Sequence, residues 1–283
     1  MLEINLWDNT FSHLATANGR FSMVHKKIPE NIKYVCRKTK YDGVTIFTDH
    51  FLNAMYIKSV RSKHKIGWYI ERSEINSIPK ITIDNYIQHL DFLMTNDSDL
   101  LERYPNKTKF VPFGGTWILD KNHGVHRKNK MFSMVYSNKK NTYKGYNLRH
   151  EVASKFSEIV DLYGNGSNRP VKLKEHAIQD YRYTIVIENL NRKNYFTEKL
   201  VDAFVLGTIP IYWGCPNIND FFDANGIITF NSCEELQDII SQLGEDDYNN
   251  RSQFIKNNFE HSKQYTVTED WFYHNILKEH LHV

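Results

Sequence analysis

Residues 183–214 read YTIVIENLNRKNYFTEKLVDAFVLGTIPIYWG. The opening apolar run, closed by Glu188, is the pattern of a central strand buried on both faces of a parallel sheet. Thr197 suits the N-cap of a helix running from Glu198 to about Leu206, and Gly207 suits its end. IPIYW then reads as a second buried strand. Strand, crossover helix and strand in so short a span is the repeating unit of a parallel α/β sheet.

The same alternation extends in both directions. Upstream, strands are expected at 4–7, 44–48, 66–71, 92–95 and 110–111, with a helix at 51–60. The stretch GGTWILDKNHGVHRKNK (114–130) breaks the pattern and reads as a linker. Strands resume at 131–136, in VDLYGNG (160–166) and, past the opening stretch, in IITF (227–230). A helix is expected over 147–160, with Leu148, Val152, Phe156 and Ile159 on one stripe. Helices at 233–243, about 247–261 and about 268–282 close the chain. The reading is α/β with two Rossmann-like halves facing a cleft: a first domain over 1–124 and a second over 125–283. The last helix, carrying Trp271, Phe272, Ile276, Leu277 and Leu281, is expected to pack across the domains rather than on a membrane.

Composition bounds the function. The 283 residues are 41% hydrophobic and 24% charged, values of a soluble globular protein, and the net charge is +3. That charge fits an acidic small ligand better than a nucleic-acid backbone. Basic clusters at 37–40, 61–65 and 126–130 read as solvated loop and helix ends. Cys36, Cys215 and Cys233 are odd in number and lack metal spacing, as expected in a reducing compartment. With no signal-peptide pattern and no apolar run of membrane length, a cytoplasmic protein is the expectation.

Glu198 and Lys199 open the helix that follows the central strand. Ligands of α/β folds bind at the carboxyl ends of such strands, and a helix N-terminus there offers free N–H groups and positive dipole to an anion. Lysine in the first turn is unfavourable unless an anion meets it. A carboxylate beside it suits a pair of hydroxyls such as a ribose diol. The pattern fits a sugar nucleotide in front of the helix, and also a merely solvated helix end.

Residues 181–222 closely resemble the donor-binding motif of the α-1,3-fucosyltransferases, glycosyltransferase family 10. The matching pieces are Ile187-Glu188-Asn189, then Tyr195, Thr197, Glu198 and Lys199, then Gly207-Thr208, Pro210-Ile211 and Gly214. The likeness runs over about 131–230, including an arginine opening a helix and a glycine-rich turn. It implies a GT-B fold, an acceptor side in the N-terminal half, GDP-fucose in the C-terminal half, inversion at the transferred sugar, and no obligatory metal. It further implies Arg149 and Lys199 on the diphosphate, with Asn189 and Tyr195 completing those contacts and Glu198 on the ribose. Thr197 and Gly164 join the donor-binding set, Gly164 and Gly166 through close backbone approach. Glu188 either bonds the sugar or braces the loop that follows it. The catalytic base is assigned to Glu71, with Glu74 second and His13 a further candidate; the family's own triplet at this point is absent. A different GDP-sugar donor, or binding without turnover, are the alternatives. Because the animal members carry a signal anchor and stem, the resemblance points to a bacterial or viral type of enzyme. Its acceptor would be an oligosaccharide or lipid-linked glycan at the inner face of a membrane, with at most peripheral membrane contact.

Overall fold

The computed structural model describes residues 1–8, 28–70, 80–140 and 143–281, with only the backbone at 80–82. The chain divides into two compact units, 1–115 with 267–283, and 116–266. From sequence the division stood at 124/125; the second unit begins earlier because Thr116 and Trp117 are bonded to Asp202 in its interior.

The first unit is a parallel sheet of β1 (Leu2–Trp7), β2 (Ile32–Cys36), β3 (Lys40–Thr48), β4 (Arg61–Tyr69), β5 (Phe92–Thr95) and β6 (Thr108–Phe110), in the order β2-β1-β3-β4-β5-β6. β2 was not anticipated. Only Ile32 and Tyr34 of its side chains are buried, so this edge strand lacks the apolar run that marks its neighbours. Helix α1 (Ala54–Ser59) starts where the Asn53 side chain accepts the Met55 N–H, and α2 (Ser98–Arg103) where Asp97 does the same for Asp99 and Leu100. The closing helical run, 268–280, covers one sheet face: Phe272, Ile276 and Leu277 are buried with Ile4, Ile46, Ile66 and Met94. Its apolar stripe is thus part of this unit's core. Trp68 and Phe272 meet edge to face at 5.1 Å.

In the second unit, β7 (Lys130–Val135), β8 (Asp161–Tyr163), β9 (Tyr181–Ile187), β10 (Ile209–Trp213) and β11 (Ile228–Thr229) are again all parallel, in the order β11-β10-β9-β7-β8. All seven residues of central β9 and all five of β10 are buried. Pro210 is tolerated in β10 because β11 pairs only with Ile211 and Tyr212, leaving one edge open at the residue that lacks an N–H. Helix α3 (Lys144–Lys155) links β7 to β8, and α4 (Glu198–Val205) links β9 to β10. Helices α5 (Cys233–Gln242), α6 (Glu245–Asn250) and α7 (Ser252–Ser262) follow. The stripe expected along 147–160 holds through Phe156 and then fails. The helix stops at Lys155, so Val160 turns inward and Ile159 is exposed. The cluster at 126–130 is not wholly solvated either. Lys128 is buried, and its ammonium donates to the carbonyls of Gln179 and Leu206 at 2.7 Å and to Thr208 Oγ1 at 2.8 Å, closing the C-terminal end of α4.

Candidate functional site

Glu188 is the first residue past β9, and its N–H donates to the Trp213 carbonyl at 2.9 Å. Its side chain is fully buried, a placement that costs several kcal/mol unless the charge is paired. Thr197 supplies the partners. Its N–H donates to Glu188 Oε1 at 2.8 Å and its hydroxyl to Oε2 at 2.7 Å. The carboxylate therefore grips the N-cap of α4 and closes the loop 189–196 into a fixed arch. Gly214 leaves it room, since a Cβ there would lie 2.6 Å from Glu188 Cγ. A second contact fixes the arch from inside: Asn194 takes a left-handed φ of 65° and exchanges two hydrogen bonds with the side chain of Asn217, at 2.8 and 2.9 Å.

Helix α3 docks on the same backbone. A Cβ on Gly145 would lie 1.9 Å from the Glu188 carbonyl oxygen, so only glycine lets the first turn of α3 come this close. The approach delivers Arg149, which is buried. Its Nε donates to the Ile187 carbonyl at 2.9 Å, and its Nη2 to that carbonyl and to Asn189 Oδ1, the latter at 2.9 Å. The Tyr146 ring lies 5.0 Å beneath the guanidinium carbon. Nη1 has no hydrogen-bond partner among the described residues. Two of the three nitrogens are thus braces, and one remains to meet a ligand.

Lys199 lies at the centre of the cluster. Its ammonium reaches Thr197 Oγ1 at 2.9 Å, Glu198 Oε1 at 3.1 Å and Glu188 Oε2 at 3.5 Å. Burial pulls Lys199 down, but Glu198 and then Glu188 outweigh it and leave its basicity raised. Burial likewise pushes Glu198 up, while Lys199 and Lys174 overcome it and hold the carboxyl at about 2. Arg149 is drawn below its ordinary value by burial, against the attraction of Glu188. Glu198 and Lys199 are therefore ionised at neutral pH.

The structure brings Arg149, Glu188, Asn189, Thr197, Glu198 and Lys199 together at the carboxyl edge of β9. Tyr195 is buried within the arch, its N–H on the Arg192 carbonyl at 3.2 Å. Gly164 lies apart, in the turn after edge strand β8, beside an open cavity of about 340 Å³ lined by Tyr136, Gly166, Asn168 and Arg169. Glu71, Glu74 and His13 fall outside the described residues. Two members of the cluster escaped sequence reading. Asp202, one turn along α4 from Glu198, is fully buried and ion-paired with Lys174 at 2.6 Å. The available signal was an aspartate inside the apolar run LVDAFV. Among the described residues, no group of three or more His, Cys, Asp or Glu is placed to hold a metal. Nor is any described helix long and apolar enough to cross a membrane.

Residues 125–280 match the family model described as glycosyltransferase family 10 (fucosyltransferase), C-terminal part. The chain is 26% identical over 137 residues to the α-(1,3)-fucosyltransferase FucT of Helicobacter pylori, covering 46% of this chain and 28% of that protein. It is 35% identical over 85 residues to an α-(1,4)-fucosyltransferase of Arabidopsis thaliana, covering 28% and 21% respectively. The matches thus span less than a third of those relatives' lengths. The crystal structure of an α1,3-fucosyltransferase with GDP superposes with a TM-score of 0.55 at 16% identity, over 93% of this chain and 88% of that one. Anabaena HepE, in complex with UDP and glucose, superposes with a TM-score of 0.62 at 11% identity, over 99% and 100%. At such identities the likeness is one of fold, and that fold is GT-B, as the sequence led one to expect.

The bracing role of Glu188 has a measurable consequence. In Glu188→Gln, an amide cannot accept from both Thr197 donors, and Lys199 loses a buried counter-charge. Urea denaturation should show a loss of about 3 kcal/mol. Glu198→Gln should cost less at neutral pH. Since Glu198 is held below its ordinary value of 4.5, its contribution is present above that pH and lost as pH falls toward about 2. The variant's stability should therefore fall less than that of the parent over this range. Parental stability in Glu188→Gln would refute the bracing role.

Proposed function

Because the chain belongs to glycosyltransferase family 10, we propose that it is an enzyme transferring fucose from GDP-fucose to a hydroxyl of a glycan acceptor, with inversion at the transferred carbon. One observation carries this reading. At the start of α4, a half-buried lysine, an ionised glutamate and the nitrogen of a buried arginine that has no partner among the described residues converge beside the carboxyl end of β9. In this reading Arg149 Nη1 and Lys199 receive the diphosphate. Lys199 can exchange its 3.5 Å link to Glu188 for a phosphate oxygen without leaving Glu188 unpaired, because Thr197 still satisfies both carboxylate oxygens. Glu198, already charged, accepts from the ribose hydroxyls. Asn189 and Tyr195 shape the arch around the sugar-diphosphate, and Gly164 lets the backbone approach the nucleotide.

The chemistry follows from those placements. The acceptor oxygen forms a bond to the anomeric carbon on the face opposite the departing GDP. As it does so, the electron pair of the broken C–O bond leaves on the diphosphate, where Arg149 and Lys199 meet the growing charge. A carboxylate removes the acceptor proton as the new bond develops. We assign this step to Glu71, with Glu74 second and His13 third. The cations of the chain itself meet the phosphate charge, so the transfer is proposed to need no bound metal; activity lost to EDTA and restored by a divalent cation would contradict this. The acceptor is taken to be an oligosaccharide or lipid-linked glycan.

Two outcomes are expected. GDP at 100 times its dissociation constant should add about 2.7 kcal/mol of stability, read as a rise in melting temperature, and UDP should add little. Equal shifts would remove the guanine assignment, and a panel of GDP-sugars would show whether fucose is the group moved. Glu71→Gln should lower transfer by about 100-fold or more with GDP affinity retained, and Glu74→Gln should cost much less. The reverse ranking would move the base to Glu74, and parental transfer in both would eliminate both carboxylates.

A further inference from the structure

The connection from β10 to β11 reaches back to the arch at two points, neither among the matching pieces of the family motif. Asn217 is the first. Its Oδ1 accepts from the Asn194 N–H at 2.8 Å and from Cys215 Sγ at 3.1 Å, and its Nδ2 donates to Asn194 Oδ1 and to Asp220 Oδ2, both at 2.9 Å. Every hydrogen-bonding position of this amide is thus used. The second point is Phe221-Phe222. Phe196 is fully buried, its ring 5.0 Å from that of Phe221 and 5.4 Å from that of Phe222. Tyr195 therefore stands between two residues that one connection holds in place.

We propose that the chain Asn194–Asn217–Asp220 is a clamp that positions the sugar end of the donor, with Asn217 as the positioning residue. This rests on the reading of α4 as the GDP-sugar site, in which Asn189 and Tyr195 shape the arch around the sugar-diphosphate. The nucleotide end does not depend on the clamp, because Arg149 is held by Ile187 and Asn189, and Lys199 by Thr197 and Glu198. The middle of the arch does depend on it. Asn194 keeps a left-handed φ of 65°, a conformation that L residues adopt at a cost. The Asn217 amide meets both its N–H and its side chain there. Without that amide the left-handed backbone loses what compensates it, and Tyr195 shifts with its neighbour.

Asp220 sets the polarity of the pair. A carboxylate only accepts and a backbone N–H only donates, so Nδ2 of Asn217 must face Asp220 and Oδ1 must face the Asn194 N–H. Asn217→Asp keeps the shape of the side chain, removes both of its donors and sets two carboxylates against each other. Adding Asp220→Asn returns a donor to that contact in the opposite sense and restores the parent's net charge. The Asn194 N–H still meets an oxygen, and the Asn194 amide can turn its own nitrogen toward the new carboxylate.

The experiment is calorimetric binding of GDP-fucose and of GDP at neutral pH, for the parent, Asn217→Ala, Asn217→Asp and the double variant Asn217→Asp with Asp220→Asn. The readout is the ratio of the two dissociation constants, in which any effect common to both ligands cancels. Asn217→Ala and Asn217→Asp should each weaken GDP-fucose about tenfold relative to GDP, the loss expected when one or two hydrogen bonds are removed. In Asn217→Ala, GDP itself should bind within about twofold of the parent. The double variant should recover most of the ratio, because donor and acceptor have only changed places. Should Asn217→Ala fail to fold, Asn217→Asp and its rescue carry the same test. A residue that merely stabilises the unit would lower the melting temperature and leave the ratio at the parental value, and that result would overturn the proposal. So would a double variant no better than Asn217→Asp. A parent that does not bind GDP would instead overturn the nucleotide reading, and one that binds GDP but not GDP-fucose would overturn the donor sugar.

Discussion

The grip of Glu188 on Thr197 is the constraint from which the second unit's functional edge follows. A carboxylate sealed at the end of a central strand is tolerable only with saturated partners, and both Thr197 donors are used to saturate it. The consequence is geometric. The loop between β9 and α4 must arch back on the strand, and the helix must begin at Thr197. Gly214 is then required for space, and Gly145 for the close approach that brings Arg149 to the arch. The scattered glycines, threonine and charged residues of the motif thus serve one buried carboxylate.

Around that anchor the charges balance. Three cations (Arg149, Lys174, Lys199) meet three carboxylates (Glu188, Glu198, Asp202). A cluster so balanced is neither repelled apart nor starved of partners, and its geometry is set by the fold itself. What it holds in reserve for an anion is limited: one nitrogen of Arg149, one weak link of Lys199 and the dipole at the start of α4. In the proposed reading, affinity for a diphosphate comes from exchange within a standing network, with little reorganisation of the backbone.

Much of this was legible in the residues. Unbroken apolar runs marked β9 and β10 because strands buried on both faces have no polar side to show. β2 escaped because an edge strand alternates, and Lys33 and Cys36 interrupt it. Glu198 and Lys199 could be singled out because charge at a helix start is a local feature. The choice between sugar contact and brace for Glu188 could not be made, because it depends on Thr197 across a turn whose path is invisible in the letters. Lys174 and Asp202 were hidden for the same reason: a buried ion pair joins distant positions, and each alone looks like a surface charge. Lys128 shows the converse, a residue in a basic run that is satisfied inside the fold.

The central claim is that a nucleoside diphosphate sits at the start of α4, held by the part of Arg149 that the fold leaves unused. A crystal structure with GDP tests it most directly. The account requires a phosphate oxygen within hydrogen-bond distance of Arg149 Nη1 and another near Lys199 Nζ, with Glu198 on the ribose and the Glu188–Thr197 bonds intact. GDP bound elsewhere on the unit, or bound at α4 with the Arg149 guanidinium withdrawn from Ile187 and Asn189, would contradict it.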